Sequence, residues 1–156
     1  MEKLGVAKSL SKFLVIVLIV LLVAFAVVNS LPFLLKTEHP IERIQGTSME
    51  DTYFDGDLVI LGGVSADSIQ VGDVVGYPAG GLIIIHRVVG VIAGNDGTIL
   101  SFILQGDNHS ANPFPDIPIP PSLIVGKVLF RVPAWLGKVV YPVVQALQTP
   151  STWWRL

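Results

Sequence analysis

The chain of 156 residues contains no cysteine and little charge. Without cysteine it forms neither disulfide bonds nor thiolate metal sites. Ten basic and twelve acidic residues give a formal charge of −2, which offers no electrostatic basis for binding nucleic acid. No pair of histidines or carboxylates has the spacing of metal ligands, so we expect neither a metal ion nor another cofactor.

Lysine is also absent between Lys36 and Lys127, where one serine stands out. Ser48 lies in a Gly-Thr-Ser-Met corner, a few residues before an acidic glycine turn. A serine hydroxyl is a poor nucleophile near neutral pH, so it needs a base within hydrogen-bond reach and usually a third group that orients the base. Unless Lys127 folds back, histidine is the natural base, with an ordinary pKa of about 6.5.

The chain has three histidines, His39, His86 and His109. Only His86 lies in a predicted strand, at the end of the apolar run 82–85, where it would be held rigidly at the edge of a site. The competing interpretation is a hydrogen-bonded structural histidine at a strand end. The carboxylates considered as its orienting acid are Asp55, Asp57, Asp73, Asp107 and Asp116.

The most prominent feature that is present is a long apolar run. Residues 13–25 are all apolar, and the apolar character continues to residue 35. At about 1.5 Å per residue, roughly 23 residues cross a hydrocarbon core of about 30 Å. Three lysines precede the run and only one follows closely, so we expect residues 1–12 in the cytoplasm and everything after the run outside. A cleaved secretory signal with a small-x-small site at 24–26 is the alternative, and it gives the same compartment.

From residue 41 onward the pattern changes to short runs of β-branched and aromatic residues, separated by Gly, Asp, Asn and Pro. We therefore predict a mainly β fold, with a compact all-β domain at 36–132 behind a transmembrane anchor at 13–35. The predicted strands are 58–61, 74–77, 82–85 with 88–89, 99–104, and 124–132. Residues 108–121 contain five prolines and are predicted to form an ordered loop.

In the tail, residues 133–156, the stretch 135–147 is apolar but interrupted by a lysine, a proline and a glutamine. These interruptions argue against a second transmembrane helix. Trp153 and Trp154, beside Arg155, are typical of residues anchored at a membrane interface. We expect the tail to lie on the membrane surface, and a second crossing is the alternative.

Five segments line up in order with one family. They read GTSMEDTYFDGDLVIL, VGDVVGY, IIIHRVVGVI, LQGDNHSANPFPD and VGKVLFRVPAWLG. Behind an N-terminal membrane segment, they resemble the type I signal peptidases, in the form found in archaea, the endoplasmic reticulum and some Gram-positive spore formers. The resemblance runs from the anchor to about Gly137. One such segment is weak evidence, whereas five in order are specific.

The resemblance implies a membrane-bound serine endopeptidase that removes signal peptides from secretory preproteins after small residues, with the β domain as its catalytic domain. It makes Ser48 the nucleophile and His86 the general base, where the bacterial housekeeping branch has lysine. Asp116 takes the role of triad acid and Asp107 a supporting role. The implied partners are preproteins, the lipid bilayer and subunits of a processing complex. The implied location is a prokaryotic plasma membrane, with the endoplasmic reticulum as the alternative, in a single-pass arrangement.

Two features depart from the family. Its two aspartates are usually about six residues apart, whereas Asp107 and Asp116 are further apart, so Asp116 is assigned from its Asn-Pro-x-Pro-Asp context. In the opening segment the family generally has proline at the position of Asp51 and often serine at that of Gly46. The upstream side-chain donor to an oxyanion hole is then absent, which leaves the backbone N–H of the serine and the hydroxyl of the preceding threonine.

Two other functions were weighed. The first is a catalytically inactive, membrane-anchored β-domain that binds peptides or partner subunits, with Ser48 and His86 as turn and strand-end residues. The second is a self-cleaving repressor-type serine peptidase, which would need a lysine base and a DNA-binding region. The sequence offers neither of these two features.

Overall fold

The computed structural model describes residues 2–148, with side chains from residue 10 onward. One long helix is followed by a six-stranded antiparallel sheet and a shorter helix. The tryptophans expected to anchor the tail, at 153 and 154, lie outside the described residues. The elements are α1 (Glu2–Leu35), β1 (Ile41–Arg43), β2 (Leu58–Gly62), β3 (Val74–Ala79), β4 (Leu82–Ala93), β5 (Ile99–Gln105), β6 (Gly126–Val132) and α2 (Ala134–Leu147).

The expectation of a mainly β fold is only partly right. Over the part that the structure describes, the content is mixed, with 33% helix and 29% strand. The excess helix comes from α1 and α2, which flank the sheet in sequence. Between them, the β-branched runs form strands as expected, and a three-residue strand, β1, is added.

The sheet has the strand order β1-β2-β6-β3-β4-β5, and every neighbouring pair is antiparallel. Strand β4 is continuous over 12 residues. His86 therefore lies inside the strand, paired with Val75 of β3, and the expectation that it caps a strand end is wrong. A polar residue inside a paired strand is held by backbone hydrogen bonds of the ladder, which is a firmer support than a strand end.

Two clusters of buried apolar side chains stabilise the sheet. Ile85 belongs to one cluster and Val88 to the other, so the strand that carries His86 is packed on both faces. Met49, the residue after Ser48, also belongs to a cluster and is 1% exposed. Both candidate residues are therefore neighbours of well-packed core positions.

Within the described residues, one stretch is long and apolar enough to cross a membrane, Leu10–Leu35 of α1. It has 26 residues, and an 18-residue window within it has a mean hydropathy of 3.1. At 1.5 Å per residue it is about 39 Å long, more than the hydrocarbon core requires. It begins three residues before the anchor expected at 13–35, and it is consistent with a single-pass membrane protein.

The end of α1 is bound to the sheet. Lys36 has a φ of 53°, the left-handed conformation that commonly ends a helix. The N–H of Gly63 donates to the carbonyl of Leu35 at 2.7 Å, and the Thr37 hydroxyl donates to the carbonyl of Val125 at 2.5 Å. A side chain at position 63 would collide with the carbonyl of Lys36, so only glycine fits. The sheet is therefore held in a fixed orientation to the end of α1 and is not attached through a free linker.

Asp57 and Asn29 fix the two ends of α2. The buried carboxylate of Asp57 is paired with Arg131 at 2.7 Å and accepts the N–H of Ala134, at the start of α2, at 2.8 Å. At the other end, the Asn29 amide donates to the carbonyl of Leu147 at 2.9 Å. The helix α2 thus extends from the sheet to α1.

Candidate active site

Ser48 stands at a corner that the next residue holds in place. The Met49 side chain is buried, and its carbonyl accepts the N–H groups of Thr52 at 3.1 Å and Tyr53 at 2.8 Å. Because Met49 is fixed inside the core, Ser48 is held at the surface of the sheet, where it is partly buried. The corner therefore presents the hydroxyl at a defined position.

Backbone geometry explains both residues of this corner that differ from the pattern of the family that the sequence resembles. Gly46 has a φ of 85° and Asp51 a φ of 93°. Positive φ favours glycine and is tolerated by aspartate, whereas proline is fixed near −65° and cannot adopt it. A serine in place of Gly46 would be strained even though no heavy atom lies within 4 Å of its Cβ. The two departures therefore follow from one feature, the path of this turn.

The segment Gly106-Asp107-Asn108 holds the corner from the other side. The backbone N–H of Asn108 donates to the carbonyl of Ser48 at 2.9 Å, and its side-chain amide donates to the carbonyl of Thr47 at 3.0 Å. A Cβ on Gly106 would collide with the Ser48 carbonyl, so the close approach requires glycine. The backbone on both sides of the serine Cα is therefore fixed by this segment.

Ser48, His86 and Asp116 form a hydrogen-bonded line. His86 Nε2 lies 3.2 Å from Ser48 Oγ, and His86 Nδ1 lies 2.7 Å from Asp116 Oδ2. The side chain of His86 is 6% exposed and that of Asp116 19%. Because an ionised carboxylate only accepts hydrogen bonds, Nδ1 carries the proton and Nε2 presents its lone pair to the serine hydroxyl. The fold thus brings together residues 38 and 30 positions apart.

Tyr77 lies next to this line, and sequence reasoning missed it. The centres of the Tyr77 and His86 rings are 6.2 Å apart. Burial raises the pKa of the Tyr77 hydroxyl, and a hydrogen bond to Asp116 and the charge of that carboxylate raise it further. The hydroxyl stays protonated and can donate to Asp116. Its place in β3, the strand paired with the one that carries the histidine, was the available signal.

Asp107 contacts an arginine instead of the histidine. Arg87 Nε donates to Asp107 Oδ1 at 2.7 Å and Arg87 Nη2 to Asp107 Oδ2 at 2.6 Å, a two-pronged charged pair. Burial alone would raise the pKa of Asp107, but hydrogen bonds from Arg87 and Thr52 and the charge of Arg87 outweigh it, and the pKa falls below its ordinary value. Of the two expected aspartates, the structure therefore sets Asp116 at the histidine and Asp107 at the arginine.

Lys127, Asp73 and His39 are engaged elsewhere. Lys127 Nζ lies 2.7 Å from Asp73 Oδ1, so the lysine considered as an alternative base is held in an ion pair on the sheet. His39 pairs with Glu42 at 2.8 Å, close to the end of α1. Within the part of the chain that the structure describes, no three His, Asp or Glu side chains are grouped as metal ligands.

Asn112 is a further polar residue at the site that sequence reasoning missed. Its Nδ2 lies 3.5 Å from His86 Nε2, the nitrogen that faces the serine. Its backbone is fixed at both polar groups: the N–H donates to the carbonyl of Asn108 at 2.8 Å, and the carbonyl accepts the side-chain amide of Gln105 at 3.1 Å. In the sequence, this asparagine was used only as the first residue of the Asn-Pro-x-Pro-Asp motif from which Asp116 was assigned.

This arrangement can perform nucleophilic catalysis. A hydroxyl bonded to an imidazole can lose its proton as its oxygen attacks a carbonyl carbon, and the carboxylate keeps the imidazole in the right tautomer. Negative charge on the attacked oxygen needs a hydrogen-bond donor. The N–H of Ser48 suits this role, because among residues 2–148 no backbone carbonyl accepts it.

No protein-family model matches the chain. The chemistry of the site and the order of the five sequence segments are therefore the basis on which a function is inferred.

Proposed function

We propose that this chain is a membrane-bound serine endopeptidase that removes signal peptides from secretory preproteins, as a type I signal peptidase of the Ser-His form. The observation that carries the proposal is the line of Ser48, His86 and Asp116, with hydrogen bonds of 3.2 and 2.7 Å. A structural histidine needs partners for its two nitrogens, but it does not need a serine hydroxyl on one and a carboxylate on the other. The same residues are those that the family resemblance selects.

In the first half of the reaction, His86 Nε2 takes the proton of Ser48 as Oγ bonds to the carbonyl carbon of the scissile peptide. The carbonyl oxygen gains negative charge and accepts a hydrogen bond from the Ser48 N–H. The C–N bond then breaks, and the proton on Nε2 passes to the departing amine of the mature protein. The signal peptide remains as an ester on Ser48 until water hydrolyses it.

The substrate is an extended peptide with small side chains one and three residues before the cut, as the family resemblance implies. In an extended peptide these two side chains face the same way, so they enter neighbouring pockets of one wall. Strand β1 ends a few residues before Ser48 and is an edge strand of the sheet. An edge strand can bind an extended peptide through main-chain hydrogen bonds, which supports this mode of binding here.

The membrane brings enzyme and substrate together. We propose a cytoplasmic N-terminus and an extracytoplasmic sheet, in a prokaryotic plasma membrane or, as the alternative, the endoplasmic reticulum. A preprotein whose signal peptide still lies in the bilayer then approaches a site that α1 fixes in orientation. Subunits of a processing complex are proposed as further partners on the same resemblance.

Helix α2 is proposed as the segment on the membrane surface. Trp135, Val139 and Val143 recur every four residues and are exposed, Trp135 by 74%. The last residue of α2 contacts Asn29, which lies six residues, or about 9 Å, inside the end of α1. An exposed apolar stripe on a helix whose last residue reaches that depth is suited to the boundary between headgroups and acyl chains.

Cleavage of a preprotein by the detergent-solubilised full chain tests the proposal. We expect a mature product that begins directly after a small residue, and no product when that residue is replaced by a large one. His86→Ala should lower the rate by at least about a hundredfold, because the general base is lost.

Lys127→Ala is the control for the choice of base. It removes the ion pair with Asp73, yet it should retain cleavage. An active His86→Ala protein beside an inactive Lys127→Ala protein would make lysine the base and overturn the assignment. Binding of the preprotein without any cleavage would favour the inactive peptide-binding domain.

A further inference from the structure

We propose that Asn112 positions the water molecule that hydrolyses the acyl-enzyme, a role that rests on the proposed peptidase function. Two groups lie at His86 Nε2: the Ser48 hydroxyl at 3.2 Å and the Asn112 amide at 3.5 Å. The serine is the nearer of the two. The serine provides the nucleophile of the first half-reaction. The amide of Asn112 is then the group at Nε2 that can act in the second half-reaction.

The group that gives a proton to His86 differs between the two half-reactions. Before the reaction, the lone pair on Nε2 accepts the hydroxyl proton of Ser48. In the acyl-enzyme, Ser48 Oγ is an ester oxygen with no proton to donate. The lone pair must then accept a proton from the attacking water, so a water molecule has to be held beside Nε2.

The separation of the two nitrogens suits a bridging water. At 3.5 Å the direct contact is at the upper limit of a hydrogen bond. A water molecule can lie about 2.8 Å from each of the two nitrogens. It then accepts a hydrogen bond from the N–H of Asn112 and donates one to His86 Nε2. Its oxygen keeps a lone pair for the ester carbon. The polarity is the one that general-base catalysis requires.

The backbone of Asn112 makes this a fixed position. The hydrogen bonds to Asn108 and Gln105 hold both polar backbone groups, and the residue is partly buried. The backbone that carries the carboxamide is therefore fixed, so only the side-chain torsions of Asn112 have to be ordered when the amide binds water.

The hydrolytic step balances as follows. The water oxygen bonds to the acyl carbon as one water proton passes to His86 Nε2. The bond between the acyl carbon and Ser48 Oγ then breaks, and the proton on Nε2 returns to Oγ. The signal peptide leaves with a C-terminal carboxylic acid, which loses its remaining proton to the solvent, and the resting site is restored.

The test separates the two half-reactions in the solubilised full chain. With a preprotein or a signal-peptide substrate, Asn112→Ala should lower kcat by at least about tenfold, because deacylation loses its positioned water. The value of kcat/KM, which reports acylation, should change by less than about twofold. An acyl-enzyme on Ser48 should accumulate and be detected by intact mass after acid quenching.

A second variant, a control variant and a competing nucleophile test whether the effect comes from the amide of Asn112. Asn112→Leu, of similar size and without hydrogen-bonding groups, should show the same split even if the alanine variant folds poorly. Asn95→Ala, in the exposed turn after β4, is the matched control and should behave as wild type. Added hydroxylamine, a stronger nucleophile than water, should speed turnover of the Asn112 variants more than that of the wild type.

Other outcomes overturn the proposal. If kcat and kcat/KM fall together with no acyl-enzyme, or if neither changes, Asn112 does not position the water. Failure of the proposed function is distinguishable from these results, because the wild type would then either leave the preprotein uncut or cut it no faster than Ser48→Ala, and in both cases it would form no acyl-enzyme on Ser48.

Discussion

At the scale of single residues, two carboxylates from one loop contact different partners, a histidine and an arginine. This difference separates their roles. Asp116 accepts from His86 Nδ1 at 2.7 Å, whereas Asp107 is bound in a fork by Arg87. The first contact can govern the tautomer of the imidazole. The second ties β4 to the segment that fixes the backbone of Ser48.

Replacing each aspartate by asparagine should therefore give different defects. Asp116→Asn should lower kcat by about a thousandfold or more, because an amide can donate to Nδ1 and favours the wrong tautomer. Asp107→Asn should act first on stability, lowering the free energy of unfolding by about 1 to 3 kcal/mol through loss of a charged hydrogen-bonded pair. Peptide cleavage rates and thermal unfolding in one detergent measure both. The reverse pattern would exchange the two roles.

The contribution of Asp107 to stability should also depend on pH. Its pKa in the folded chain is lower than the ordinary value of 3.8. The stabilisation is therefore complete above that value and is lost as pH falls through the folded pKa. The difference in Tm between wild type and Asp107→Asn should be constant from about pH 7 to 5 and should shrink below about pH 4. A difference that persists unchanged to about pH 2 would show that the charge of Asp107 is not its cause.

At the scale of elements, the loop between β5 and β6 assembles the site. Gly106 and Asn108 fix the corner of Ser48, Asn112 approaches the histidine, and Asp116 orients it. The backbone N–H of Asp116 also donates to the carbonyl of Leu104 in β5, at 2.8 Å. The part of the loop that contributes to the site is thus bound at both of its ends, to the corner of Ser48 and to β5. These contacts explain how a proline-rich loop can hold its side chains in fixed positions.

Helix α2 gives a prediction at the same scale. In a chain carrying Trp153→Phe and Trp154→Phe, Trp135 is the only tryptophan left. In vesicles of brominated lipid its fluorescence should be strongly quenched if the exposed stripe of α2 lies against lipid, as we propose. The readout needs no enzymatic activity, so it tests the location of α2 alone.

The control for α2 moves the tryptophan to the far side of the sheet. In the same background, Trp135→Phe combined with Asp96→Trp puts the fluorophore in the exposed turn before β5, the edge strand opposite β1. That tryptophan should be quenched little. Equal quenching of the two chains, or no quenching of Trp135, would contradict a membrane-surface α2.

At the scale of the whole molecule, the elements that could be predicted are those with local signals. The apolar run of α1 and the β-branched runs of five strands are visible in the sequence. Strand β1 has only three residues and exists through its pairing with β2, so no local signal marked it. The continuity of β4 through His86 and Arg87 was missed for a related reason, since two polar residues resemble a strand end until the pairing with β3 is known.

The site was predictable in part. Chemistry required a base for Ser48, and the lysine gap pointed to histidine, while the choice of Asp116 came from a family resemblance. Tyr77 and Asn112 were not predicted, because their contacts with the site depend on strand register and on the path of a long loop. The contact of Asn112 joins residues 26 positions apart and leaves no local pattern, whereas Tyr77 and His86 are close in sequence but meet only through the register of β3 and β4.

The central claim is that Ser48 is the nucleophile of a signal peptidase. The rate at which mature protein appears from a preprotein, compared between wild type and Ser48→Ala, tests it most directly. Ser110→Ala, in the exposed part of the loop, is the matched control. We predict full cleavage by wild type and Ser110→Ala, and none above background by Ser48→Ala. Cleavage by Ser48→Ala at the wild-type rate would contradict the account.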